Sequence, residues 1–526
     1  MRGAQDEGFP SAAIILLGAI VFAALLAFPG VTVTASYVND LFIFLDGAHR
    51  IASGQIPSRD FHTALGPLSF YIPALGYWLS GTMGGAMPSG MALTTCLLAA
   101  PIAHVLSSRL RPVLAISYGL FLLLVLAAPL NLGESITALS FAMFYNRIGW
   151  AALGTLLVMY LAPKRNHMWQ DALDAFCAAF LTIVMLYTKI TYGLVALAFL
   201  AFLLGVSRHR RWAAGSIAIT GICCLVIEAL WQSTSLYFAD LAMSAEVSGS
   251  RGLTNLAIMF IRNLADYILI GIFIALVLRR TRKVQDLLFF GFCTLPGLLI
   301  QNQNSQPWGI LTLHAGAVVA AEMLLRFDER NSGRETPSPL LSAGVLLFLM
   351  AMIVPIILHC FLALGWHTTL AMARSGRAFD LPKFAEIRLI SPWLSGEKTL
   401  MHTYLESIED GAHALENLSE APRKVSVLDF SNPFSAGLDL PPPRGDSAWL
   451  HWNRNIDTSH FTPPERYFAD VETLMLPKWG INNVPLRELY GTYIDAAFEP
   501  LRESESWTIY RRRTREIAAK APPGGT

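Results

Sequence analysis

Of 526 residues, 54% are hydrophobic and only 15% are charged, with a mean hydropathy of +0.46, against about 25% charged residues in ordinary soluble domains. The chain therefore reads as an integral membrane protein. A formal net charge of +1, with no basic run interleaved with aromatics, excludes nucleic acid as a partner.

The first predicted element follows Arg2 and is an apolar run from about Ala12 to Val33. It is too long for a signal-peptide core and has no A-x-A cleavage site, so it is expected to remain as a first transmembrane helix. Taking roughly 20 apolar residues per crossing, eleven segments qualify, near 11–33, 86–108, 113–131, 148–163, 170–188, 191–206, 212–232, 262–279, 285–300, 306–325 and 339–365. Alternate loops carry the clusters Arg109/Arg111, Lys164/Arg165, Arg208/Arg210/Arg211, Arg279/Arg280/Arg282/Lys283 and Arg326/Arg330/Arg334. The opposite loops carry only Arg50, Arg59, Arg147, Lys189, Arg251 and Arg262. Because Lys and Arg concentrate on the cytoplasmic side, a cytoplasmic N-terminus and a C-terminal region on the outer side are expected. The six cysteines, Cys96, Cys177, Cys223, Cys224, Cys293 and Cys360, fall inside apolar stretches, without the spacing of a disulfide framework or a CxxC metal site.

The loop after the first span, residues 34–85, is too long for a plain connector. Leu41, Phe44, Leu45, Ala48 and Ile51 recur at helical spacing with Asp46, His49, Arg50 and Ser53 opposite them, the pattern of an amphipathic helix lying in the interface. Asp46 and Arg50, four apart, read as a simple ion pair. Leu68 to Leu79, interrupted by Pro73 and Gly76, is short for a span and reads as a surface or re-entrant piece. After about residue 366 the composition becomes that of a water-soluble domain. Strands are expected at 425–430, 473–476 and 507–510, and a helix at 484–498. The predicted organisation is thus a transmembrane domain over 1–365 and a small α/β extracytoplasmic domain over 366–526.

Ionisable groups held at a membrane edge are costly and so are functional hypotheses by default. Asp40, directly after the first span, reads either as a helix N-cap or as a general base able to take a proton from an acceptor hydroxyl. Asp60 and His62, two apart in a turn, could hold a divalent cation or stabilise the turn. Arg59, Arg147 and Lys189 sit singly among polar residues, as snorkelling anchors or as phosphate contacts. With Tyr145 and Asn146, they could bind the phosphate of a lipid carrier, since Arg matches phosphate geometry and Lys is a compact point charge. Gln301, Asn302, Asn304 and Trp308 form a block of amides and an aromatic platform suited to sugar hydroxyls, or else a polar hairpin between helices. Trp449 to Asn455 could contact glycan, although a β-edge and loop would look alike.

At Asn39-Asp40, Gly54-Gln55-Ile56-Pro57-Ser58-Arg59-Asp60-Phe61 and Gly66-Pro67-Leu68 the sequence resembles the bacterial multi-spanning glycosyltransferases of the GT-C superfamily, the dolichyl-phosphate-mannose and lipid A aminoarabinosyltransferase type. It has Asn-Asp where that family commonly has Asp-Glu, and Gly-Pro-Leu where it has Lys-Pro-Pro. The resemblance implies an inverting transfer of a sugar from a polyprenyl-phosphate donor to a lipid or glycan acceptor on the periplasmic face of a bacterial inner membrane, with the C-terminal domain in the periplasm. It puts Asp40 in the catalytic base position, makes Asp60 a second loop carboxylate, and casts Arg147 and Lys189 as phosphate contacts. Two rival classes are a transporter or flippase of lipid-linked saccharide and a polysaccharide polymerase or ligase. The first would place charges near mid-bilayer with repeat-related broken helices; the second would place its arginines in a large late outer loop.

Overall fold

The computed structural model describes residues 8–164, 168–249, 252–303, 306–332, 336–390 and 395–513. Its helices run α1 (Gly8–Ala27), α2 (Val38–Ala52), α3 (Leu68–Ser80), α4 (Met83–Arg109), α5 (Pro112–Ala127), α6 (Phe144–Val158), α7 (Gln170–Thr188), α8 (Ile190–Leu204) and α9 (Arg210–Trp231). They continue with α10 (Thr234–Ser248), α11 (Leu253–Arg262), α12 (Leu264–Thr281), α13 (Val284–Gln303), α14 (Leu311–Ser332), α15 (Pro339–Met372) and α16 (Ser395–Glu416). Each of the eleven apolar segments carries a helix, but only six, α1, α4, α7, α9, α13 and α15, are long and apolar enough to cross a membrane among the described residues. The pair α11 and α12, bent by 75°, would make a seventh. The 16 residues of α5 and 15 of α8 span only about 24 and 22 Å at the helical rise. In α5 the residues from Leu114 onward are mostly buried, so this helix is sheltered by its neighbours.

Short helices of the first outer loop pack tightly onto the bundle. Gly76 of α3 lies against the backbone of α4, where a Cβ would stand 1.9 Å from the Ala86 carbonyl, so α3 packs on α4 despite its internal Pro73. Gly66 lies against the end of α7: a Cβ there would meet the Tyr187 carbonyl at 2.2 Å, and Ser69 Oγ donates to the Thr188 carbonyl at 3.1 Å.

Two sheets build the C-terminal part. In the smaller, β1 (Thr32–Thr34), just after α1, pairs parallel with β3 (Ile387–Leu389), which pairs antiparallel with β2 (Arg377–Ala378). The larger has the order β4 (Val425–Val427), β5 (Thr473–Pro477), β7 (Trp507–Arg512), β6 (Phe498–Glu503), with β4 parallel to β5 and the other pairs antiparallel. A helix over Asn483–Ala497 covers it. The fold is thus multi-spanning and α-helical, with a small α/β domain toward its C-terminus.

One expectation is overturned in α2. Its apolar residues are buried as the spacing predicts, but so are Asp46 and Arg50, each at 0% exposure. The polar face meets the C-terminal domain, not water. Arg50 Nε donates to Asp46 at 2.6 Å, and its Nη1 and Nη2 donate to Asp446 at 2.8 and 3.1 Å. Arg50 and Gln55 also donate to carbonyls of the Pro442–Pro443 segment. Burial holds the Asp46 carboxyl above the ordinary carboxylate range, against the pull of Arg50. The expected i,i+4 surface pair is therefore the centre of an interdomain clasp.

Candidate active site

Three segments that each begin on a left-handed, non-glycine residue come together at the junction of the two domains. Tyr37 (φ 54°) precedes α2, Met143 (φ 52°) precedes α6, and Asn453 (φ 60°) precedes Arg454. Such conformations cost of order 1–3 kcal/mol each and persist where the surroundings impose them. The Tyr37 hydroxyl donates to Glu134 at 2.9 Å. The Phe44 ring of α2 packs edge-on against Phe144 at 4.9 Å and against Tyr145 at 6.2 Å, which sets the start of α6 beside α2.

Asp40 lies in the first turn of α2. It does not act as the helix cap, which is Tyr37; its N–H donates to the Tyr37 carbonyl at 3.1 Å, while its carboxyl makes no hydrogen bond or ion pair with a described residue. Burial pushes its carboxyl up to about 7, against the opposing charge of Arg454. Tyr145 is close enough to feel both Asp40 and Arg454. Lys189 stands at the single extended residue between α7 and α8, with φ −155° and ψ 112°. Its Nζ donates to Asn146 Oδ1 at 3.1 Å and lies 5.0 Å from the Tyr145 ring centre. From the C-terminal domain come Arg454, stacked over Trp449 at 5.8 Å, and Asp429, at the end of β4. Burial pushes the Asp429 carboxyl up to about 6, against hydrogen bonds from the Phe430 N–H and Asn482. Tyr404 of α16 faces both Asp429 and Asp40. The arrangement sets a proton acceptor beside a cation of the C-terminal domain, with Lys189 against the ring of the neighbouring Tyr145.

Of the residues singled out in the sequence, Asp40, Tyr145, Asn146 and Lys189 are brought together. Arg147 is not: it is buried, and its Nη1 donates to the carbonyls of Leu126 and Ala128, the end of α5, where a cation satisfies orphan carbonyls and the helix dipole. Asp60 is held at the domain clasp, accepting from Arg444 Nη1 at 2.7 Å and from the Ile56 N–H at 2.8 Å. Arg59 is exposed, its Nε 3.9 Å from Asp60. His62 is paired through Nδ1 with Asp240 of α10 at 2.9 Å. Asp60 and His62 thus turn to different partners and do not form one cation site, and among the described residues no group of three His, Cys, Asp or Glu side chains converges.

The amide block bonds in part to neighbouring helices, while Gln301 Nε2 is buried without a hydrogen-bond partner. Gln301 Oε1 accepts from Asn263 at 2.8 Å, Asn302 Oδ1 accepts from Asn255 at 2.6 Å, and Trp308 packs edge-on to His314 at 6.0 Å. Asn304 lies outside the described residues. The polar-hairpin alternative describes these contacts. Sequence reasoning did not select Arg454, Asp429 or Tyr404 as partners of Asp40. For Arg454 the signal was present in the aromatic and amide run Trp449–Asn455, but nothing in the spacing tied it to a residue 414 positions earlier.

No protein-family model and no curated relative matches the sequence. Among solved structures, the chain is similar to ArnT from Cupriavidus metallidurans in the apo state, with a TM-score of 0.49 and 11% identity over 97% of this chain and 98% of that one. It is also similar to the Archaeoglobus fulgidus oligosaccharyltransferase in complex with Zn and sulfate, with a TM-score of 0.38 and 12% identity over 94% of this chain and 72% of that one. The same enzyme tethered by a disulfide bond to an acceptor peptide containing the NVT sequon gives a TM-score of 0.42 and 10% identity, over 97% and 74% of the two chains. Likenesses of this degree assign no role, which has to be argued from the residues.

Proposed function

We propose that the protein is a membrane glycosyltransferase that moves a sugar from a polyprenyl-phosphate donor to a hydroxyl acceptor at the outer face of an inner membrane, with inversion at the anomeric carbon. The observation that carries this reading is Asp40: a carboxyl in the first turn of α2, without a hydrogen bond or ion pair of its own, near Tyr145 and Arg454, and pushed up to about 7. A base poised near neutral pH is the efficient one for proton removal. The acceptor oxygen attacks the anomeric carbon as its proton passes to Asp40. The bond from that carbon to the phosphate oxygen breaks, and its electron pair leaves with the lipid phosphate. Lys189, oriented by Asn146 and Tyr145, stabilises the charge that develops there. The resemblance at Asn39-Asp40 and Gly66-Pro67-Leu68 supports the same reading. A flippase would need its ionisable groups along a path through the bilayer, whereas Asp40 and Lys189 stand at helix ends.

The test is reconstitution of the purified chain with a panel of polyprenyl-phosphate sugars, measuring release of free lipid phosphate. Release by the wild type and none by Asp40→Asn is expected. Full activity in that variant would remove the proposal.

A further inference from the structure

The last turn of α12 and the residues after it read Arg279-Arg280-Thr281-Arg282-Lys283, at the end of the bundle that loop charge assigns to the inner side. None of these four cations makes an ion pair or a side-chain hydrogen bond with a described residue. Other basic residues of that side are spent on the protein itself: Arg109 on Asp174, Arg111 and Arg326 on Glu322, and Lys164, Arg208 and Arg210 on backbone carbonyls. Arg280 is held by its guanidinium alone, 5.7 Å from the ring centre of Phe327 on α14. Its Nη1 and the Oγ1 of Thr281 are closed off from water with no hydrogen-bond partner. Buried donors are normally paired, and the described residues supply no acceptor at this corner. Ile268, Ile272 and Leu276, four residues apart on α12, are all exposed, so an apolar stripe runs along the helix and meets Arg280 one turn further on.

We infer that the inner end of α12 is a binding site for an anionic phospholipid. Arg280 and Thr281 donate to the phosphodiester oxygens of its headgroup, a geometry that the planar guanidinium matches. Arg279, Arg282 and Lys283 supply the surrounding positive field, and an acyl chain lies along Leu276, Ile272 and Ile268. A run that served only to orient the chain in the bilayer would need no donors turned inward against Phe327. The site stands at the opposite end of α12 from its junction with α11, and it does not depend on the reaction proposed above.

The experiment is a lipid titration of the full chain in detergent, read by native mass spectrometry. It compares dioleoylphosphatidylglycerol with dioleoylphosphatidylcholine, which has the same chains and no net charge, and uses glycerol phosphate as a soluble competitor. The wild type is expected to bind the anionic lipid at least about tenfold more tightly than the neutral one, the scale of one charge-assisted contact. Arg280→Gln should lose about fivefold of that preference, the share of one cation near an anionic headgroup, with binding of the neutral lipid unchanged. Arg282→Gln/Lys283→Gln, at two exposed positions, should also lower it, whereas Arg211→Gln, an exposed cation outside the run, should leave it as it is. Equal binding of the two lipids by the wild type, or full preference in both run variants, would overturn the inference. So would an equal loss in Arg211→Gln, which would make the effect one of diffuse surface charge. Competition by glycerol phosphate as strong as by the lipid would overturn the assignment to a membrane lipid.

Discussion

Asp40 carries two consequences of opposite sign. Burial raises its carboxyl to about 7, against Arg454, so the basic form is lost as pH falls through that value. Turnover should then decline by about tenfold per pH unit below it, measured as kcat/KM against pH. The folded state also binds the proton more tightly than the unfolded chain, whose Asp titrates near 3.8. Between these two values stability falls as pH rises, and above about 7 the full cost of holding the charge is present. Asp40→Asn, which cannot ionise, should therefore abolish transfer and raise the melting temperature at pH 8. A melting temperature at or below that of wild type would contradict the account. Such a gain in stability with a loss of function marks a strained catalytic group and not a structural one.

Within the elements, the clasp and the glycine contacts can be tested independently of the substrate. Removing Arg50 leaves Asp46 and Asp446 buried together without their shared cation, a loss of about 3–5 kcal/mol by the measure of broken buried pairs. Arg50→Leu should accordingly unfold at lower denaturant, and Asp446→Asn should lose less. Gly66→Ala drives a methyl toward the Tyr187 carbonyl, which displaces the junction where Lys189 sits. It should lower turnover with little effect on membrane insertion, checked by activity per inserted molecule.

Local periodicity made the apolar helices and the β4, β5 and β7 segments readable in the sequence, because each is decided by residues near in the chain. The polar face of α2 was misread for the same reason: Asp46 and Arg50 have the spacing of a solvated pair, and their partner Asp446 is 396 residues away from Arg50. The contact of Arg147 Nη1 with the end of α5 was hidden on the same ground. A lone arginine at a helix start looks alike whether it faces a ligand or turns back to cap a neighbouring helix.

At the scale of the whole molecule, the C-terminal domain packs on the segments around the proposed site and brings Arg454, Asp429 and Tyr404 toward it. The pairing of β1 with β3, the clasp, and the packing of Phe42 edge-on to Phe379 at 5.3 Å and stacked on Phe384 at 5.2 Å bind it to the segments that follow α1. By the loop-charge reading, this assembly is expected at the outer face. The central claim is that a carboxylate of the bundle and a cation of the appended domain act on one another across that junction. Its most direct test is the pH dependence of kcat/KM in wild type and Arg454→Gln, with Tyr145 and Tyr404 left in place as the other groups facing Asp40. The account predicts an ionisation near 7 in the wild type that moves upward when the opposing positive charge is removed. The same midpoint in both proteins would contradict it.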